Sequence, residues 1–176
     1  MRSWVTGLVP ATFIAVVLLS MGNPHPVAAQ QAERLAVVSG FLDAWSRGDV
    51  DEALSAFADN AVFIGVRATG LCSAQTPCTD PASIRQQFEN LVANHICQTI
   101  RNVQVSGAVV LGQIESRTDN NRANGVERVL VSFIAQIPND KITFFALVND
   151  LSDPQTAGTH ALRAPLPNPE TPCAGV

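Results

Sequence analysis

Between Phe41 and Gly65 (FLDAWSRGDVDEALSAFADNAVFIG) the chain has to pass from a helix through a tight turn into a second helix and then directly into a strand. Val37, Val38, Phe41, Leu42 and Trp45 recur at helical spacing, and the helix they define stops at Arg47-Gly48. Asp49 stands where an N-cap is needed, with Glu52 three residues on in a capping-box-like pair. Val50, Ala53, Leu54 and Phe57 then give a short second helix one apolar face. That helix ends near Ala58-Asp59-Asn60, and Ala61-Val62-Phe63-Ile64 continues as a strand. Whatever this chain folds into must bring two helices and a strand together at one corner.

The remainder supplies one more helix and several strands. Asp80-Pro81 is an N-cap and first-turn pair, and Ile84, Phe88, Leu91, Val92 and His95 follow at spacings that place them on one face of a third helix. Thr99 to Val105 and Val109 to Arg117 read as strands around the turn Ser106-Gly107. The Asn- and Asp-rich run from Thr118 to Gly125 reads as a long hairpin loop. Glu127 to Ile137 alternates cleanly, with Val129, Val131, Phe133, Ala135 and Ile137 on one face and Arg128, Leu130, Ser132, Ile134 and Gln136 on the other. Pro138-Asn139-Asp140 turns the chain into Lys141 to Leu151, where Phe145, Leu147 and Asn149 share a face. The pattern is α+β: three N-terminal helices packed on a curved antiparallel sheet, in one domain over residues 30 to 153, with a Pro-rich tail over 154 to 176.

Residues 1 to 29 stand apart as a signal peptide. Arg2 gives a positive start, Leu8 to Leu19 an apolar core interrupted by Pro10, and Val27-Ala28-Ala29 a small-residue cleavage site. The apolar run falls short of the ~20 residues that span a bilayer, which favours cleavage near Ala29 over an uncleaved anchor and leaves no membrane segment afterwards. A secreted or periplasmic location follows. Cys72, Cys78, Cys97 and Cys173 would then meet an oxidising compartment. Four cysteines allow three connectivities. The turn-rich Ser-Ala-Gln-Thr-Pro between them favours Cys72 with Cys78, leaving Cys97 to hold Cys173 and the tail. Neither C-x-x-C nor His spacing accompanies them, so no metal site is expected. The formal charge is −4 and Lys141 is the sole lysine, so no basic stripe suits a nucleic acid.

Helix, Gly-Asp turn, short helix and immediate strand, followed by a third helix and long antiparallel strands, resemble the NTF2-like superfamily. That cone-shaped fold is shared by SnoaL-like cyclases, ketosteroid isomerases, limonene epoxide hydrolases and scytalone dehydratase. The resemblance implies a pocket between helices and sheet, no cofactor, and in many members a homodimer paired through the sheet. The catalytic groups of the isomerases fall here at Phe41, Phe133 and Gly65, and the chain contains no Tyr, so that machinery is absent. The epoxide hydrolase positions fall at Gln113, Glu115, Leu147, Phe63 and Gly65, which keeps a single acid. The scytalone-dehydratase-like positions fall at His95, Gln113, Trp45 and Ser46, which keeps one His.

His95 therefore emerges as a candidate proton-transfer group with Gln113 and Glu115 as its partners, because an imidazole titrates near neutral pH. Its other reading is a core histidine bonded to a carbonyl. Glu115 either enters the pocket or pairs with an arginine near the strand end. Phe41, Trp45, Phe63, Phe88, Phe133 and Phe145, with Asn149, are the candidate lining of a pocket for a small hydrophobic molecule, or else the aromatics simply fill the cone. The two resulting functions are an exported binding domain for such a molecule and a cofactor-free SnoaL-like lyase or isomerase acting on a polycyclic or terpenoid-like substrate.

Overall fold

The computed structural model describes residues 26–66 and 71–158. The leader's apolar core, Cys173 and the Pro-rich end of the tail lie outside them. Helix α1 (Pro26–Ser46) begins within the last residues assigned to the leader and buries Val38, Phe41, Leu42, Ala44 and Trp45. It ends in a Schellman motif. The Asp49 N–H donates to Ala44 O (2.9 Å) and the Gly48 N–H to Trp45 O (3.0 Å), with Gly48 at φ +81°. Only glycine takes that conformation without strain, which is why the chain can reverse at once into α2 (Val50–Ser55).

Asp49 caps α2 by accepting from the Glu52 N–H (2.9 Å), but the Glu52 carboxylate turns to Arg47 (2.7 Å), so the capping box is half formed. Phe57, assigned above to the face of this helix, instead opens strand β1 (Phe57–Ile64). The cause is tertiary. Phe57 pairs with Ile142, and the Ile142 N–H donates to Ala56 O (2.8 Å), so ladder hydrogen bonds take over one turn earlier than local propensity suggests.

Helix α3 (Pro81–Val92) is capped as expected, Asp80 accepting from the Ser83 N–H (2.9 Å). Strands β2 (Cys97–Ser106), β3 (Val109–Arg117), β4 (Val129–Gln136) and β5 (Ile142–Asn149) form an antiparallel meander, and β1 adds beside β5 in parallel, giving the order β1-β5-β4-β3-β2. Cys72 and Cys78 are joined as expected, and Cys78 bridges Phe63 through two backbone hydrogen bonds (2.9 and 3.0 Å), covering the β1 edge. Cys97 is also disulfide-bonded.

Register fixes what each sheet face carries. On the helix side, Gln98, Ser116 and Val129 form one row, Ile114, Val131 and Asn149 the next, Gly112, Phe133 and Leu147 a third, and Val110, Ala135, Phe145 and Phe63 a fourth. Gly112 is required by packing, since a Cβ there would lie 2.6 Å from Cε1 of Phe133. The opposite face carries Leu111, Gln113 and Glu115 beside Ile134, Ser132 and Leu130, with Val148 65% exposed.

Two short helices extend the design. The polar run after β3, read above as a loop, contains α4 (Asp119–Ala123), capped by the Thr118 hydroxyl, which accepts from the Asn121 N–H (3.2 Å). The start of the tail forms α5 (Pro154–Ala157), and its buried Thr156 hydroxyl accepts from the Leu130 N–H (2.8 Å). Residues 154–157 are thus attached to the sheet. Asp153 accepts from both the Thr156 N–H and hydroxyl (2.9 Å each) and pairs with Arg128 (3.1 Å).

Burial opposes ionisation of Asp153, but the Thr156 amide and hydroxyl and the Arg128 guanidinium outweigh it and hold the carboxyl below its usual value. A carboxylate shifted this way stabilises the fold fully above its unfolded pKa of about 3.9 and loses that contribution as pH falls through its lower folded value. Asp153→Asn, which keeps an N-cap acceptor and loses the charge facing Arg128, is therefore expected to lower stability by about 1 kcal/mol at neutral pH. The gap to wild type should close in thermal melts as the pH drops below about 4. A gap independent of pH would refute the assignment.

Candidate functional site

The helices meet the sheet most closely where the aromatics lie. Phe41 stands 5.0 to 5.5 Å from Trp45, Phe57, Phe88 and Phe145, Phe63 stacks on Phe145 (5.9 Å), and Phe133 on the other side of Phe145 (5.7 Å). The indole N–H of Trp45 donates to Phe88 O (3.4 Å). These rings fill the cone at rows three and four of the sheet. They are core, and none of the six proposed as pocket lining faces the cavity described next.

Space remains at the other end, over rows one and two, as a cavity of about 310 Å³. The sheet contributes Gln98, Ile114, Ser116, Val129, Val131, Leu147 and Asn149, the end of α3 and the link to β2 contribute Leu91, Asn94 and Ile96, and the α4 segment contributes Thr118, Asn120 and Asn121. Val66, at the edge of the described residues, completes the wall. Asn149 is thus the one residue of the expected set that lines the cavity. Apolar side chains and neutral amides or hydroxyls share the wall, and among the described residues no titratable side chain lines it. Among these residues, too, no group of three His, Cys, Asp or Glu is placed to hold a metal ion.

The proposed proton-transfer set is dispersed. Helix α3 stops at Val92, three residues before His95, so the stripe begun by Ile84 and Phe88 does not reach it. His95 has φ +46°, its side chain is 67% exposed, and Nδ1 meets Asp119 Oδ2 at 2.5 Å. Its neighbours Asn94 and Ile96 line the cavity, but His95 does not. Glu115 points from the opposite sheet face, where it pairs with Arg117 (2.7 Å) and Arg101 (3.4 Å). Gln113 lies on that same outer face, donating to Asp150 (3.0 Å) and accepting from Asn102 (2.7 Å). His95, Gln113 and Glu115 therefore form no common site.

Sequence reasoning missed Gln98, Ser116 and the amides of α4. Gln98 falls just before the strand read from Thr99, and the face of β3 carrying Gln113 and Glu115 was the one considered for the pocket, which leaves Ser116 on the other. Gly112 was the available signal, since an inward glycine leaves room for an aromatic from the neighbouring strand. The α4 amides sit in a run whose composition signals only a loop.

The SnoaL-like domain model matches residues 38–145. Solved structures give the same fold at low identity. An LEH-like epoxide hydrolase of M. tuberculosis is 18% identical with TM-score 0.56, covering 76% of this chain and 93% of its own. SalBIII, an epoxide hydrolase/cyclase-like enzyme of pyran ring formation in salinomycin, is 17% identical with TM-score 0.57, covering 69% and 94%. An NTF2-like protein of Cytophaga hutchinsonii is 12% identical with TM-score 0.52, covering 68% and 91%. No curated protein matches in sequence. The cone of helices on a curved sheet, the cavity at its open end and the match over most of the folded region lead to one conclusion: the chain belongs to the SnoaL-like domain family.

Proposed function

We propose that this is an exported domain that binds a small hydrophobic molecule in the open end of the cone. The observation that carries the reading is the cavity itself, about 310 Å³, lined by apolar side chains interspersed with neutral polar groups, a composition typical of small-molecule sites. Export rests on the leader and agrees with the Cys72–Cys78 disulfide, which an oxidising compartment preserves. The outer sheet face, where Leu130 and Ile134 adjoin Leu111 and Val148, is the surface through which two copies would pair.

A neutral fluorophore, N-phenyl-1-naphthylamine, should bind with one site per chain and brighten. Ser116→Leu, which fills the cavity from β3, should weaken that binding at least about tenfold while the protein still melts cooperatively. Equal binding by both proteins would place the site elsewhere. The protein should also run as a dimer in light scattering at micromolar concentration, and Ile134→Arg should convert it to a monomer. A wild-type monomer would remove the pairing.

One observation favours catalysis as a second reading. Asp119 holds Nδ1 of His95, whose chain neighbours Asn94 and Ile96 line the cavity. SalBIII and the M. tuberculosis epoxide hydrolase, similar in fold, are enzymes of ring formation or epoxide opening. His95→Gln should cost about 1 kcal/mol of stability or less, since the imidazole is largely exposed. If the domain turns over a substrate through His95, the same variant loses turnover and keeps affinity. Full turnover in the variant would eliminate this reading.

A further inference from the structure

Away from the cavity, Gln113, Glu115, Asp119 and Asp153 each hold a side-chain partner. The cavity wall differs. Among the described residues, the side chains of Gln98, Ser116, Asn120, Asn121 and Asn149 line it and make no hydrogen bond to another side chain or backbone group. Gln98 Oε1 is buried with no partner at all. Beside the strand residues of this set, on the same sheet face, lie the apolar side chains of Ile114, Val131 and Leu147.

An amide or hydroxyl offers both a donor and an acceptor and carries no charge. A carboxylate would arrive with acceptors only, an ammonium with donors only, and either would be desolvated without a counter-charge from the wall. An ether accepts and cannot donate, so the carbonyl oxygens of the wall would stay unpaired against it. A hydroxyl both gives and accepts at one atom, and suits a wall built of amides. Gln98 is well placed to discriminate, because its backbone N–H is fixed by donation to Ser46 Oγ (3.0 Å) and its register with Ser116 sets two uncommitted side chains next to each other.

We infer that the ligand of this cavity is an uncharged hydrophobic molecule bearing hydroxyl groups, and that Gln98 and Asn149 select for the hydroxyl. The inference rests on the binding function proposed above and names the class of its ligand.

The test is calorimetric titration of the full mature chain with four compounds on one skeleton: 1-adamantanemethanol, its methyl ether, adamantane-1-carboxylate and 1-adamantanemethylamine. The alcohol should bind about tenfold more tightly than the ether and than either charged compound. Gln98→Met and Asn149→Leu, both close in size to the native residues, should each narrow the alcohol-to-ether ratio while leaving ether affinity within about twofold. Alcohol and ether binding equally to the wild type, a ratio unchanged in both variants, or the carboxylate or amine binding tightest would each overturn the selection while leaving a binding cavity in place. If none of the four compounds binds and N-phenyl-1-naphthylamine does not bind either, the binding function falls and this inference falls with it.

Discussion

The contact on which the rest of the fold depends is the meeting of Phe41 and Phe88 with Phe145 and Phe63, the point where α1 and α3 are seated on the sheet. Each fully buried ring is worth roughly 1.5–3 kcal/mol in burial. Edge-to-face and offset contacts add about 0.5–1.5 kcal/mol per pair and fix relative orientation. Helices so anchored at one end of a curved sheet diverge from it at the other. The cavity is the geometric consequence of a close-packed narrow end, and its position over Gln98, Ser116 and Asn149 follows from sheet register.

That division explains what could be read from the chain. The narrow end is built of large apolar residues at regular periods, so the elements carrying Phe41, Trp45, Ile84, Phe88, Phe133 and Phe145 were evident, and the caps Asp49 and Asp80 sit where expected. Strand β3 falls on Val109–Arg117 as read. Errors occurred where long-range pairing competes with local preference. Phe57 left its helix because β5 offered a ladder, and α4 formed where composition indicates a loop because Thr118 supplies a cap and the Asp119 N–H finds Asn94 O (3.0 Å).

The site was far less legible, for reasons of the same kind. Period two assigns residues to two faces of a strand and does not say which face is inside; β3 alternates weakly, with apolar residues on both faces, and the identity of its inner face is settled by Phe133 lying over Gly112. His95 fits the α3 period numerically, yet the helix ends first. The aromatics that suggested a pocket are too mutually complementary to leave one, and the residues that do leave one are small amides drawn from strand ends and short turns, where sequence carries no period to detect.

Charge shows the same economy of placement. Glu115, the acid that the resemblance to epoxide hydrolases singled out, is only 12% exposed and held between Arg117 and Arg101 on the face away from the helices. That carboxylate is orientated by two cations and faces away from the cavity. Asp153 is occupied in the same way at the start of α5, and Asp119 by His95. Ionised groups are thus matched to one another around the outside of the domain, and the cavity is left to groups that hydrogen-bond without charge. A wall of that kind would orientate a ligand through several moderate hydrogen bonds and exclude ions by desolvation, and the selectivity proposed above rests on that absence of charge.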